Sequence, residues 1–145
     1  MAWNEPGERG HDTFEHTADI GIEAWGPGLE ALFEEAADAL TEAVLNVDTV
    51  EEGETLSVAA EGDEPEELLV AWLEEVLFAF EGQGFATARS RVDSLTDSRV
   101  EGTLFGEPFN PTRHAVSAAV KAVTYHDLRI ERHNGQHRVR IVLDV

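Results

Sequence analysis

The chain reads as an α+β two-layer sandwich, in which two amphipathic helices pack on a mainly antiparallel or mixed sheet that closes with a C-terminal hairpin. Three observations predict this. Two stretches carry apolar residues at helical spacing, short alternating segments flank them, and an Asn134-Gly135 turn signal lies near the last residue. At 145 residues and 42% hydrophobic composition, the chain can bury one core and is too short to divide comfortably into two.

Residues 1–11 carry Pro6, Gly7, Gly10 and scattered charge without periodicity, so a flexible N-terminal arm is expected there, with a single domain over 12–145. Ile20, Ile22 and Ala24 alternate with Gly21, Glu23 and Trp25, which predicts a strand ended by the GPG at 26–28. Leu29, Leu32, Phe33, Ala36, Leu40, Ala43, Val44 and Val47 then fall on one face of a helix. Leu56, Val58 and Ala60 predict a second short strand. GDEPEE at 62–67 starts a second helix, with Pro65 in its first turn and acidic residues at the positive end of the dipole. Its apolar stripe runs through Leu68, Leu69, Trp72, Leu73, Val76, Leu77 and Phe80, and Gly82 or Gly84 ends it. Trp72, Phe78 and Phe80 are read as core packing. The last third is sheet: Phe85 to Val92 and Val100 to Phe105 flank a TDS turn, and Phe109 to Arg113 connects them to the hairpin.

That hairpin has a register fixed by arithmetic if Asn134-Gly135 are the central turn residues. Ile130 then faces Val139, Leu128 faces Ile141 and His126 faces Leu143, with Tyr125 opposite Asp144 on the other face. Lys121 shares that face with Asp144 but lies four residues beyond Tyr125, about 13 Å away at roughly 3.3 Å per residue; a direct ion pair would need a bulge. Asp144 and the α-carboxylate oxygens of Val145 crowd one strand end. Such a cluster repels itself unless a cation or proton neutralises it, and oxygen-only ligation favours Ca²⁺, Mg²⁺ or Mn²⁺ over zinc. The alternative is a solvated, frayed end.

The chain holds no cysteine, which excludes disulfides and thiolate chemistry. No apolar run approaches a membrane span, and the start MAWNEPGERGHD has neither a basic nor an apolar leader segment, so a cytoplasmic protein is expected. The net charge is −20, from 30 Asp and Glu against 10 Lys and Arg, of which Lys121 is the single lysine. This balance opposes direct binding to RNA by counterion release. It suits a protein working in molar salt, where surface repulsion is screened.

FEHTADIGIEAWG at 14–26, ELLVAWLEEVLFAF at 67–80, Arg113-His114, VKAVTYHDL at 120–128 and the closing VLDV come in an order that resembles the archease family from about residue 12 to the end. The resemblance implies an accessory factor of the RtcB-type RNA-splicing ligase in tRNA splicing, one that promotes guanylylation of the ligase and its multiple turnover. It also implies a divalent cation, Ca²⁺ foremost, on Asp19, Asp144 and Val145, and a necessary role for Lys121 in ligase activation. His16, Thr17 and Tyr125 fall in matching motifs, either as hydrogen-bonded supports of the acidic site or in a direct role. Ala119 departs from the acidic residue often found two before the lysine.

Two other readings stand beside this one. An acidic chaperone or RNA mimic would modulate nucleic-acid enzymes, an RNA methyltransferase for example, through total charge. A metal-dependent hydrolase would use Asp19, Asp144 and a histidine, but no HExxH, P-loop or GxSxG is present. His133 and His137 alternate across a tight turn and are read as surface residues.

Overall fold

The computed structural model describes residues 6–16, 19–125 and 128–145, with Glu15 and His16 described in backbone only. In chain order the elements are β1 (Gly10–His16), β2 (Asp19–Gly26), α1 (Leu29–Val44), a short 3-10 turn (Val47–Thr49), β3 (Glu54–Glu61), α2 (Pro65–Glu81), β4 (Phe85–Leu95), β5 (Arg99–Pro108), β6 (Ala122–Val123), β7 (Ile130–His133) and β8 (Gln136–Asp144). They make two antiparallel sheets. One runs β1-β2-β8-β6, with β7 also paired to β8; the other runs β3-β5-β4. The two helices cover them, α1 lying against β2 and β4 and so spanning both sheets, α2 lying against β3. This is the α+β helix-on-sheet architecture that the alternating patterns predict.

Each helix starts and stops where local chemistry dictates. Gly28 at φ 115 turns the chain into α1, a conformation that a Cβ would oppose. Pro65 opens α2 with Glu66 and Glu67 in the first turn, and Gly84 at φ 65 leads away from its end. Facing inward, Ile22, Ile141 and Leu143 of the first sheet and Val100 and Leu104 of the second meet Leu32 and Phe33 of α1 and Leu69, Trp72 and Leu73 of α2. Burying each such side chain contributes about 1.5–3 kcal/mol. Trp72 sits at the centre: its indole N–H donates to the carbonyl of Phe33 at 3.0 Å, joining the helices, and a Cβ on Gly102 would lie 2.5 Å from its ring. No helix among the described residues is long and apolar enough to cross a membrane.

Several expectations need correction. Within the stretch expected as an arm, Gly7 N–H donates to Gln136 Oε1 and Arg9 pairs with Glu34 and Glu35, while residues 1–5 lie outside the described residues. His11 is clamped between Glu35 and Glu42, and Gly10 already begins β1. That strand escapes a periodicity search because it is a polar edge strand, held partly by the Phe14 ring lying against Gly21 and the Trp25 ring against Gly10. Val47 lies beyond the end of α1. Phe78, expected in the core, is 53% exposed. His137 is buried, not on the surface, and burial and the nearby Arg132 lower its pKa.

The largest correction concerns the hairpin. Asn134 at φ 51 and Gly135 at φ 79 form the expected turn, and Ile130↔Val139 through His133↔Gln136 keep the expected register. Beyond Ile130 that pairing stops. Glu66 of α2 accepts the Ile130 N–H, Leu128 N–H turns back to the Tyr125 carbonyl, and the chain rejoins β8 as β6 with Ala122↔Asp144 and Val123↔Leu143. The loop removes three residues from the register. His126, expected opposite Leu143, lies outside the described residues.

Candidate functional site at one end of the larger sheet

Strand order brings distant residues to one sheet end. On β2 and β8, Ile20 pairs with Leu143, so the next residues outward, Asp19 and Asp144, are neighbours on adjacent strands. His16 of β1 pairs with Asp19, and Ala122 of β6 pairs with Asp144. Ile20, Ile22, Ile141 and Leu143 point toward the helices, and strand alternation sets Asp19 and Asp144 on the opposite face. Asp144 and Val145 are exposed, Asp19 partly so.

Lys121 arrives beside them. Its backbone N–H donates to the Asp144 carbonyl oxygen at 2.7 Å, and its side chain is exposed. The expected separation of about 13 Å does not hold, because the loop before Ile130 supplies the bulge that a direct approach needs. The shifted register has a second effect: Ala122, and not Lys121, now shares the Asp144 face. Tyr125 is also displaced. It is 57% exposed, and its pKa is raised by partial burial and by Glu74 and Glu67 of α2, so it sits by that helix and not opposite Asp144. Thr17 lies outside the described residues, and for His16 only the backbone position is described.

An open cleft of about 610 Å³ adjoins the Asp19 end of the sheet, lined by Thr13, Phe14, Asp19, Ile20, Ala43 and Ser117 among others. Its far wall belongs to the connector that leads to Lys121. That connector has almost no strand pairing of its own, yet it is tied down along its length. Asn110 N–H donates to His114 Nδ1 at 2.8 Å, which leaves the proton on Nε2 to donate to Glu107 Oε2 at 2.8 Å. Glu107 also accepts from Glu51 N–H and from Arg113, and these bonds, the Glu51 amide foremost, hold its pKa below the usual carboxylate value. Further along, Ala115 accepts from Asn46 N–H, Ser117 donates to the Val44 carbonyl, and Val120 is buried. In the sequence Arg113-His114 stands out as a family motif, without this anchoring role. The only local signal for it is a histidine following a Pro-containing connector, and its carboxylate partner sits on another strand.

Two carboxylates and the oxygens of Val145 therefore come to this sheet end from β2 and β8, and the Lys121 main chain joins them from the segment before β6. Among the described residues, no three His, Asp or Glu side chains converge as a metal-ligand cluster. A cation at this end would use Asp19 and Asp144 together with Val145 oxygens, all hard donors.

Residues 11–145 match the family described as the Archease protein family (MTH1598/TM1083). The chain belongs to the archease family. Among curated relatives, the archease of Methanopyrus kandleri is 37% identical over 148 residues and all of both chains, and that of Pyrococcus furiosus is 37% identical over 91% of this chain and 96% of its own. Among solved structures, protein 1598 of Methanobacterium thermoautotrophicum superposes with a TM-score of 0.78 at 33% identity, covering 94% of this chain and 99% of that one. A Thermotoga maritima structure, described as an archease and possible chaperone, gives 0.62 at 25% identity, covering 92% and 96%. These archease structures share the two-helix, antiparallel-sheet fold.

Proposed function

We propose that this archease is an accessory factor, not a stand-alone enzyme, and that it activates an RtcB-type RNA-splicing ligase in tRNA splicing in the cytoplasm. It promotes guanylylation and multiple turnover of that ligase. The observation that carries this reading is the meeting of Asp19, Asp144, Val145 and Lys121 at one sheet end, from segments more than a hundred residues apart in sequence. A fold that needed only a stable sheet would have no reason to gather two acids and the single lysine there.

The donor set suits a divalent cation, Ca²⁺ foremost, with Mg²⁺ or Mn²⁺ as alternatives. Asp19 holds it from β2, and Asp144 and Val145 from the end of β8. When bound, the ion supplies concentrated positive charge able to orient phosphate oxygens. Lys121, whose main chain is bonded to Asp144, adds a compact, flexible ammonium from the same sheet end. The Asp144 carbonyl fixes where the Lys121 backbone sits, and the His114–Glu107 bond fixes the connector behind it. The protein's part is to deliver these groups to the ligase's active site as a preorganised set.

The test is ligation by the cognate ligase under single-turnover and multiple-turnover conditions, with wild type and Lys121→Ala. Stimulation by wild type and loss with the variant supports the reading; equal stimulation by both removes Lys121 from the mechanism. The description of the Thermotoga relative as a possible chaperone favours a second reading, a general chaperone. That reading predicts protection of unrelated unfolding proteins that does not depend on Lys121.

A further inference from the structure

From Gly10 to Ala88 the chain contains neither lysine nor arginine. Both helices lie in this stretch, so their solvent faces carry acidic groups uncompensated by any base of their own. On α2, residues 67, 74, 78 and 81 fall within a narrow arc at 100° per residue, with 75 at its edge. All five are exposed: Glu67, Glu74, Glu75, Phe78 and Glu81. Phe78, at the centre of this arc, is 53% exposed, its ring lying over Gly82. Tyr125, 57% exposed, stands close enough to Glu67 and Glu74 to feel both charges.

Adaptation to salt accounts for the glutamates but not for two large aromatic rings left in water. Exposed aromatic side chains bordered by a polar, solvent-accessible rim are the anatomy of a protein–protein interface. The charge states the partner's sign: a surface this acidic is complementary to a basic protein and repels RNA. β6 packs against α2, and Tyr125 is four residues from Lys121 along the chain, which links this face to the segment that carries Lys121.

We propose that the Phe78–Tyr125 face of α2, ringed by Glu67, Glu74, Glu75 and Glu81, is the surface that docks on a basic patch of the RNA ligase. This deepens the accessory-factor reading and rests on it. Phe78 enters an apolar pocket on the ligase, and the glutamates meet its arginines and lysines. Docking by this face sets the Lys121 end against the partner.

The experiment measures binding of the ligase to full-length protein by calorimetry at two salt concentrations, alongside ligation. Phe78→Ser is expected to weaken binding at least tenfold with an unchanged melting temperature. Replacing Glu67, Glu74, Glu75 and Glu81 by Gln is expected to weaken binding and flatten its salt dependence. Neutralising Glu8, Asp48, Glu54 and Asp97 instead, the same number of exposed acids elsewhere, is expected to have a much smaller effect. If wild type binds and stimulates the ligase and Phe78→Ser does both equally well, the docking face is wrong while the accessory function stands. If wild type binds without stimulating and Phe78→Ser abolishes binding, the surface stands and the activation reading falls. Absence of any binding, or capture of RNA by the α2 face, overturns the docking proposal.

Discussion

The backbone N–H of Lys121 donates to the carbonyl oxygen of Asp144 at 2.7 Å, bringing the single lysine of the chain onto the strand end that carries the penultimate carboxylate. This bond concerns main chain only, so it survives substitution of either side chain. Lys121→Ala and Lys121→Arg are accordingly expected to fold as wild type, with stability changed by no more than about 0.5 kcal/mol. Alanine should abolish stimulation of the ligase. Arginine should restore it only in part, because a planar guanidinium does not replace a compact ammonium. Thermal melts beside ligation rates check both expectations.

Asp19 and Asp144 are adjacent across β2 and β8, and two carboxylates at one strand end repel each other in the absence of a cation. A divalent ion at a hundred times its dissociation constant stabilises by about 2.7 kcal/mol, which for a domain of this size raises the melting temperature by several degrees. Wild type should show that rise with Ca²⁺ and lose it with chelator. Asp19→Asn and Asp144→Asn should melt at or slightly above the wild type in chelator and fail to respond to Ca²⁺. A Ca²⁺ response that persists in both variants would place the ion elsewhere.

His11 donates to Glu35 and Glu42, and the hydrogen bond to Glu35 foremost raises its pKa from 6.5 to about 9. A folded-state pKa raised above the unfolded value means that the stabilisation is fully present below about pH 6.5 and is lost as pH rises through about 9. Because the group is partly solvated, the expected loss is about 1–2 kcal/mol. Denaturant titrations at pH 6.5 and pH 10 should show this decline in wild type and a smaller one in His11→Ala.

His114 is buried, and replacing it with alanine leaves the Glu107 carboxylate short of a donor at the base of the connector. A cost of about 2–4 kcal/mol is expected. The same change should speed hydrogen exchange at the Ser117 and Lys121 amides more than in β4 and β5. Uniform acceleration across the molecule would mean that His114 serves global stability alone.

With a net charge of −20, self-repulsion should destabilise the fold at low ionic strength. Melting temperature is expected to climb as KCl is raised from millimolar to molar, most steeply where the Debye length falls from about 30 Å to about 10 Å. A flat response would separate the acidity from any demand for salt.

Much of the fold is legible in local pattern. Leu32, Phe33, Ala36 and Leu40 repeat at 3.6 residues, Ile20, Ile22 and Ala24 at two, and Asn134-Gly135 fits only a tight turn, so α1, β2 and the β7–β8 turn follow from spacing. Phe78 shows the limit of such reasoning. Its neighbours Trp72, Val76 and Leu77 are buried, but one position round the helix decides between core and solvent, and aromatic character alone does not settle which.

The sequence by itself determined two helices, the sheet segments, the turn and the family motifs holding Asp19, Lys121 and Asp144, because each depends on contacts within a few residues. Only the tertiary structure decided that Lys121 meets Asp144. That outcome depends on a three-residue change of register between β7 and β6, fixed by Glu66 of α2 capturing the Ile130 amide and by β6 rejoining β8. Those interactions join segments far apart in the chain, and no periodicity within either segment records them.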